Sequence, residues 1–294
     1  MSRENERTLI EHDRKLIGVS NTYMRGRGWL EHAADDIQEV LADTRSLVVV
    51  PYALADMDWY TDKLREVFTQ MGIENVDSPH RHPGSENLVI EDAEAVYIGG
   101  GNTGRLVANL HSLTNFDGSK VDKRKDASQQ PLVSTIRKRV SEGMPLVGAS
   151  AGANVMCQDI RTTNDMHIAV QQLVGGVLVS RLDALGVLPS DVSINPHYIE
   201  NVVVSEEDRR RAIEINEGLG ILLDHQGESR ETRLKQVLEM DPTRTILALR
   251  EGAYIVVNGQ TMELRGQTGG LIFQHEKEPV EIQAGDNLSN LLVS

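Results

Sequence analysis

The sequence predicts an α/β fold in which a mainly parallel sheet is covered by helices on both faces, with short antiparallel strands near the C-terminus. Three observations predict it. Short apolar runs alternate along the chain with stretches of helical periodicity. The strand-like runs are uninterrupted in Val, Ile and Leu, as strands buried on both faces require. Two of them end in glycine-rich turns that lead directly into helix-like sequence. With 294 residues and 39% hydrophobic content the chain can bury one large core, and a single domain over 1–294 is expected.

In chain order, residues 1–13 are polar and read as a frayed end, and Lys15 to Ser20 (KLIGVS) reads as a first buried strand. Trp29 to Leu41 has helical periodicity, Ser46 to Pro51 (SLVVVP) is a β-branched strand run, and Tyr60 to Met71 is an amphipathic helix. Ala95 to Ile98 is a short strand that ends in Gly99-Gly100-Gly101, with a helix-like run from Gly104 to Leu110. Asp117 to Gln130 (DGSKVDKRKDASQQ) is charged and aperiodic, the composition of a surface insertion over 117–130. Met144 to Val147 is apolar and precedes a second glycine turn and the helix-like Ala153 to Cys157. An irregular segment through Val192 follows, then Ser193 to Tyr198 at a strand end, and helices over Ser205 to Glu217 and Glu228 to Met240. Thr245–Leu249, Ala253–Val257, Thr261–Leu264 and Leu271–Gln274 read as short antiparallel strands near one sheet edge.

The formal net charge of −14 argues against nucleic acid and anionic membranes as partners. It would also repel an acidic substrate, so such a ligand needs a local cation to hold it. One cysteine, Cys157, excludes internal disulfides and thiolate metal clusters. The opening stretch has no signal-peptide core and no run approaches a membrane span, so a cytoplasmic protein is expected.

Two turns carry the candidate chemistry. Gly148-Ala149-Ser150-Ala151-Gly152 has the layout of a nucleophile elbow. Small residues let the chain turn sharply from strand to helix, holding the hydroxyl out beside the free amides of the helix start. The pattern is weak alone, and its strand-then-helix context gives it force. Gly99-Gly100-Gly101-Asn102-Thr103 offers backbone amides to an oxyanion, or is simply a tight turn; it matches neither phosphate-loop nor dinucleotide fingerprints.

A serine nucleophile needs a base and a group that orients the base. Of nine histidines, His197 is the best placed, because it follows Pro196 at a strand end. An ordinary loop histidine is the bland alternative. His80 and His82 flank Arg81 with alternating spacing, but no nearby carboxylate cluster completes a metal site. Arg230, if it faces inward, could read a carboxylate through paired hydrogen bonds. Glu251 follows an apolar strand, where a carboxylate is usually only a solvated turn residue.

Together the segments SNTYMRGRGWLEHA, YIGGGNT, GASAGANVMC, IRTTNDM, INPHY, GESRETR and LREG resemble one family: peptidase E, the α-aspartyl dipeptidases, grouped with the cyanophycinases. The resemblance implies a class I glutamine amidotransferase-like (flavodoxin-like) sheet and a serine exopeptidase that cleaves dipeptides with N-terminal aspartate. By matched position, Ser150 is the nucleophile, His197 the general base and Glu251 the acid that orients it. Gly101 and Ala151 supply the oxyanion amides, Arg230 binds the aspartyl carboxylate, and Asn102 and Asp165 hold the amino end. By residue type Asp165 also suits the triad acid, and the sequence leaves that choice open. The resemblance implies no metal or organic cofactor and a small acidic dipeptide as partner; a monomer or homodimer is expected, and the sequence does not choose between them.

The chain departs from the family pattern at Ala149, where tryptophan is expected in enterobacterial members, and in additional sequence at 117–130 and 202–223. A cyanophycinase-like or other acidic-peptide hydrolase is the nearest alternative, and the Asn-Pro-His-Tyr and Thr-Asn-Asp-Met runs speak against it. A non-catalytic protein binding small acidic ligands on the same fold is a further alternative. A glutaminase is disfavoured because Cys157 lies beyond the elbow, inside the following helix.

Overall fold

The computed structural model describes residues 14–24, 26–111, 131–165, 171–174, 177–180, 182–199 and 230–293. The expected insertions at 117–130 and 202–223, the frayed start and the helix over Ser205 to Glu217 lie outside the described residues.

The apolar runs become strands β1 (Lys15–Val19), β2 (Ser46–Val50), β3 (Asn75–Asp77), β4 (Ala95–Ile98) and β5 (Leu146–Ala149). They pair in parallel in the order β1-β5-β4-β2-β3. Alternate side chains of these strands enter two separate cores, as the two-residue strand period demands. On one face Ile17, Val19, Val49, Tyr97, Val147 and Ala149 pack with Ile37, Leu64 and Phe68. These last three come from helices α1 (Ala34–Val40) and α2 (Met57–Gln70). Helix α2 starts at Asp56, whose carboxylate accepts from the Trp59 amide at 3.0 Å. A short helix, α3 (Glu86–Glu91), precedes β4. The opposite face buries Leu16, Val50, Val96, Ile98 and Leu146 against α4 (Thr103–Leu110), α5 (Leu132–Ser141) and α6 (Ala151–Val155).

The C-terminal strands divide between two sheets. After a two-stranded hairpin of β6 (Gln171–Val174) and β7 (Val177–Ser180), β8 (Val192–Asn195) pairs in parallel with β9 (Thr245–Leu249). Strands β10 (Ala253–Asn258) and β11 (Thr261–Gly266) extend the main sheet antiparallel beyond β1, as the edge reading expected. In contrast, β9 joins β8, β12 (Gly270–Gln274) and β13 (Val280–Ile282) in a separate four-stranded sheet. The hairpin falls within what the sequence reads as irregular. Helix α7 (Arg230–Met240) lays Leu234, Val237 and Leu238 over Ile246, Ala248 and Phe273 of this second sheet.

The two sheets meet where β1 has no side chain. A Cβ at Gly18 would lie 3.1 Å from Ile194 Cδ1, so glycine allows β8 to approach the middle of the main sheet. This contact carries the end of β8 toward the carboxyl ends of β1, β4 and β5, the edge at which open α/β sheets bind ligands. No described helix is long and apolar enough to cross a membrane.

Candidate active site

Ser150 lies between β5 and α6 with φ 55° and ψ −112°, a backbone that a non-glycine residue adopts only when its surroundings enforce it. The enforcement is visible on both sides. Its amide donates to the Val19 carbonyl at 2.9 Å, and its carbonyl accepts from the Asn154 amide at 3.1 Å. Gly152 is required by packing, since a Cβ there would fall 2.0 Å from the Ile98 carbonyl oxygen.

Across the cleft, His197 also has a left-handed backbone, with φ 53°. Its Nε2 is 2.9 Å from Ser150 Oγ, and its Nδ1 is 2.8 Å from Glu251 Oε1. Glu251 sits in the turn between β9 and β10, where Thr268 Oγ1 donates to its carbonyl at 2.7 Å. The three side chains therefore form one hydrogen-bonded line. With the Glu251 side chain 56% exposed, its contribution is orientation more than buried charge.

Asp165 is elsewhere. Its Oδ2 accepts from the Thr103 amide at 2.5 Å, at the start of α4 and beside Asn102, whose own Oδ1 caps that helix by accepting from the Arg105 amide at 2.7 Å. Of the two acids open to the sequence, Glu251 is the one on the histidine. The segment that carries Asp165 also braces His197. Thr162 Oγ1 and Asn154 Nδ2 both donate to the Ile194 carbonyl, at 2.7 and 2.8 Å. Asn164 Nδ2 donates to the Pro196 carbonyl at 2.5 Å, and Asn195 Nδ2 donates to the Thr162 carbonyl at 2.6 Å. The runs Thr162-Thr163-Asn164-Asp165 and Ile194-Asn195-Pro196-His197 are thus a single interlocked unit.

The glycine run reduces to one available donor. The Gly99 amide donates to the Val50 carbonyl at 3.1 Å, the Gly100 amide to Tyr60 Oη at 3.2 Å, and the Asn102 amide to the Ala53 carbonyl at 3.0 Å. Among the described residues the Gly101 amide meets no acceptor. Gly101 has φ 134°, and a Cβ there would sit 2.7 Å from the Ala53 carbonyl oxygen. Ala151, as the first residue of α6, has an amide with no acceptor inside its helix. The glycine run abuts the serine, since a Cβ on Gly100 would lie 3.5 Å from Ser150 Oγ.

Arg230 opens α7 and lines a cavity of about 300 Å³ with Arg161, Asn164, Asp165, Asn195 and Arg233. Its Nη1 is buried with no hydrogen-bond partner among the described residues. Burial lowers its affinity for a proton and the Arg233 charge adds to this, while Glu251 and Tyr198 oppose it. An arginine keeps its charge under such conditions, so a half-buried cation with one buried, unpaired nitrogen among the described residues lines the cavity.

The other candidates take structural roles. Cys157 is fully buried, accepts from the Ile194 amide at 3.1 Å, and its thiol is pushed up to about 12 by burial, which makes it inert as a nucleophile. His80 Nε2 pairs with Asp58 at 3.2 Å and His82 Nε2 with Asp77 at 2.8 Å. Among the described residues no three His, Cys, Asp or Glu side chains gather in a way that could hold a metal ion. Tyr60, which holds the Gly100 amide, is a site-shaping residue absent from the sequence reading. Its position inside an amphipathic helix marks it only as core.

The architecture, a mixed, mostly parallel sheet flanked by helices with a serine at a strand-to-helix turn on its carboxyl edge, is that of an α/β protein. The model of peptidase family S51 matches residues 16–119 and 124–265, and the chain belongs to that family. It is 34% identical to a peptidase E of Streptomyces coelicolor over 278 residues, 94% of each chain. It is also 34% identical to a peptidase E of Salmonella arizonae over 273 residues, covering 92% of this chain and 98% of that one. The crystal structure of a peptidase from an acI-B1 actinobacterium aligns with a TM-score of 0.59 at 15% identity, over 95% of this chain and 97% of that chain, a likeness of fold.

Proposed function

We propose that this chain is a serine exopeptidase that hydrolyses dipeptides with N-terminal aspartate. The observation that carries the reading is the line Ser150 Oγ, His197, Glu251, with contacts of 2.9 and 2.8 Å at a strained elbow. His197 Nε2 takes the proton of Ser150 as Oγ attacks the aspartyl carbonyl carbon, and Glu251 holds the ring through Nδ1. The tetrahedral oxyanion is met by the Gly101 and Ala151 amides. On collapse the C–N bond breaks, His197 gives its proton to the leaving amine, and an ester links aspartate to Ser150. Water, deprotonated by His197, then attacks that ester, aspartate departs, and the proton returns to Ser150.

Selectivity is assigned to the cavity beside this line. A buried guanidinium nitrogen without a hydrogen-bond partner among the described residues suits a carboxylate that arrives with the substrate, and it does so despite the net charge of −14, because the attraction acts at contact range. Asp165 and the Asn102 amide group, at the rim of the same site, are suited to the substrate's ammonium end. Peptidase E is the name of the relatives at 34% identity, and it accords with this reading.

Release of free amino acids from Asp-Leu, Glu-Leu, Asn-Leu, Leu-Leu and N-acetyl-Asp-Leu, by wild type and by Ser150→Ala with a chelator present, tests it. Turnover is expected only on Asp-Leu and only with the serine. Equal turnover of Leu-Leu, or undiminished activity in Ser150→Ala, would overturn it.

A further inference from the structure

The three residues of the hydrogen-bonded line come from three separate chain segments, and one short stretch at the end of β1 bonds the backbone of Ser150 and His197 and of the residues on either side of Glu251. The Val19 carbonyl accepts from the Ser150 amide at 2.9 Å. The Ser20 amide donates to the Ala253 carbonyl at 3.0 Å, just past Glu251, and Asn21 Oδ1 accepts from the Gly252 amide at 2.7 Å. The remaining contact is made by a side chain. Ser20 Oγ accepts from the His197 amide at 2.8 Å and donates to the Leu249 carbonyl at 2.9 Å.

We propose that Ser20 is a positioning residue for the reaction, its hydroxyl setting the His197 backbone against the end of β9, the strand that leads into the Glu251 turn; this rests on the serine-peptidase reading above. The direction of the bonds is fixed by chemistry. A backbone N–H can only donate, so Ser20 Oγ must accept from His197 and spend its single proton on Leu249. The need for the hydroxyl follows from the sequence at this point. Strand β8 pairs with β9 as far as Asn195 opposite Ala248, after which Pro196 has no N–H to continue the ladder. The chain then turns at φ 53°, and the His197 amide bonds Ser20 Oγ, while it is the next amide, Tyr198, that returns to a β9 carbonyl.

Ser20 fills that gap. The Leu249 carbonyl also accepts directly from the Tyr198 amide at 2.9 Å, so residues 197 and 198 are both tied to one carbonyl, the first through Ser20 and the second without help. Ser20 is fully buried, so water does not substitute for the lost oxygen when it is removed. Both bonds of the hydroxyl go to backbone atoms, and neither goes to Ser150 Oγ or the His197 ring. It acts by holding the ring that must stay within hydrogen-bond reach of Ser150 at one end and Glu251 at the other.

The test compares Ser20→Ala with Ser193→Ala. Ser193 is also fully buried, and its hydroxyl accepts from Arg244 Nη1 at 2.7 Å, so its loss removes a buried hydrogen bond outside the catalytic line. Two readouts are taken: kcat and KM on Asp-Leu, and the rate at which a serine-directed phosphonate labels Ser150, which requires no peptide. Ser20→Ala is expected to lower kcat and the labelling rate by about 10- to 100-fold with KM changed less than about twofold, the signature of a misplaced base. Ser193→Ala is expected to lower the melting temperature and leave both rates near wild type. Ser20→Cys, which keeps a weaker donor and acceptor, is expected to fall between, and it carries the test should the alanine variant fail to fold. Wild-type labelling and kcat in the Ser20 variants, or equal losses in Ser193→Ala, would overturn the role of Ser20 alone. A wild-type protein that the phosphonate does not label overturns the serine-peptidase reading and this inference with it.

Discussion

The two sides of the Ser150–His197 contact are built in different ways. On the nucleophile side, strand, turn and helix are contiguous, Leu146 to Val155, and the strained Ser150 is held by bonds to the adjacent strand β1 and to its own helix. On the other side His197 and Glu251 are 54 residues apart, leave different strands of a second sheet, and meet only through bonds from remote segments. The nucleophile is local and rigid, whereas the base and acid are an assembly. Damage to the first should remove chemistry at once, and damage to the second should degrade it in steps.

The largest effect that tests this contrast is loss of the hydroxyl. Ser150→Ala is expected to reduce kcat on Asp-Leu by about 10⁴-fold or more, and the Ser150→Ala, His197→Ala double variant to be little worse than either single one, because members of one catalytic unit are not additive. Pre-steady-state and long-time product assays read both. Additive losses would mean that the two residues act separately.

Glu251→Gln comes next. It keeps the shape of the side chain and removes the acceptor pattern that orients His197 Nδ1–H, for an expected loss of about 10²- to 10⁴-fold in kcat with KM nearly unchanged. An unaffected rate would assign the orientation of the ring to its backbone ties alone.

Removal of the guanidinium separates binding from chemistry. Arg230→Ala should weaken transition-state binding of Asp-Leu by ~2–3 kcal/mol, the value of a hydrogen bond to a charged group, while any residual turnover of Asn-Leu changes little. Measured kcat/KM on the two peptides decides it, and equal losses would show that Arg230 does not read the side chain.

The smallest expected effect is on stability. Gly152→Ala forces a methyl against the Ile98 carbonyl and should cost ~1–3 kcal/mol in urea unfolding, since a local, close-packed turn has no room to yield. A variant as stable as wild type would show that the elbow is less rigid than its contacts imply.

These differences follow what was legible in the sequence. The parallel strands and the helices on both faces were readable because their signals, β-branched runs and 3.6-residue periodicity, lie within a few neighbouring residues. The elbow was readable for the same reason: Gly148 and Gly152 bracket Ser150. The second sheet was not, because β8 and β9 look like any other apolar runs, and their parallel pairing joins residues 192–195 to 245–248. The hairpin at 171–180 and the short strands β3 and β13 carry too few residues for a period to register. Arg230, His197 and Glu251 were assigned by resemblance to a family, while local sequence alone allowed each an ordinary surface role. Tyr60 and Ser20 had no signal, one hidden in a helix's apolar face and the other reading as a polar residue that ends a strand.

By itself the sequence determined the alternating strand and helix order, the serine at the elbow and the glycine turn beside it, because each depends on backbone preferences set by adjacent residues. Only the tertiary structure decided that Glu251 rather than Asp165 lies on His197 and, among the described residues, that Gly101 is the glycine whose amide remains open and that Arg230 Nη1 is buried without a hydrogen-bond partner. Those outcomes depend on which distant groups have already been used as donors or acceptors, and that accounting closes only when the two sheets come together at Gly18.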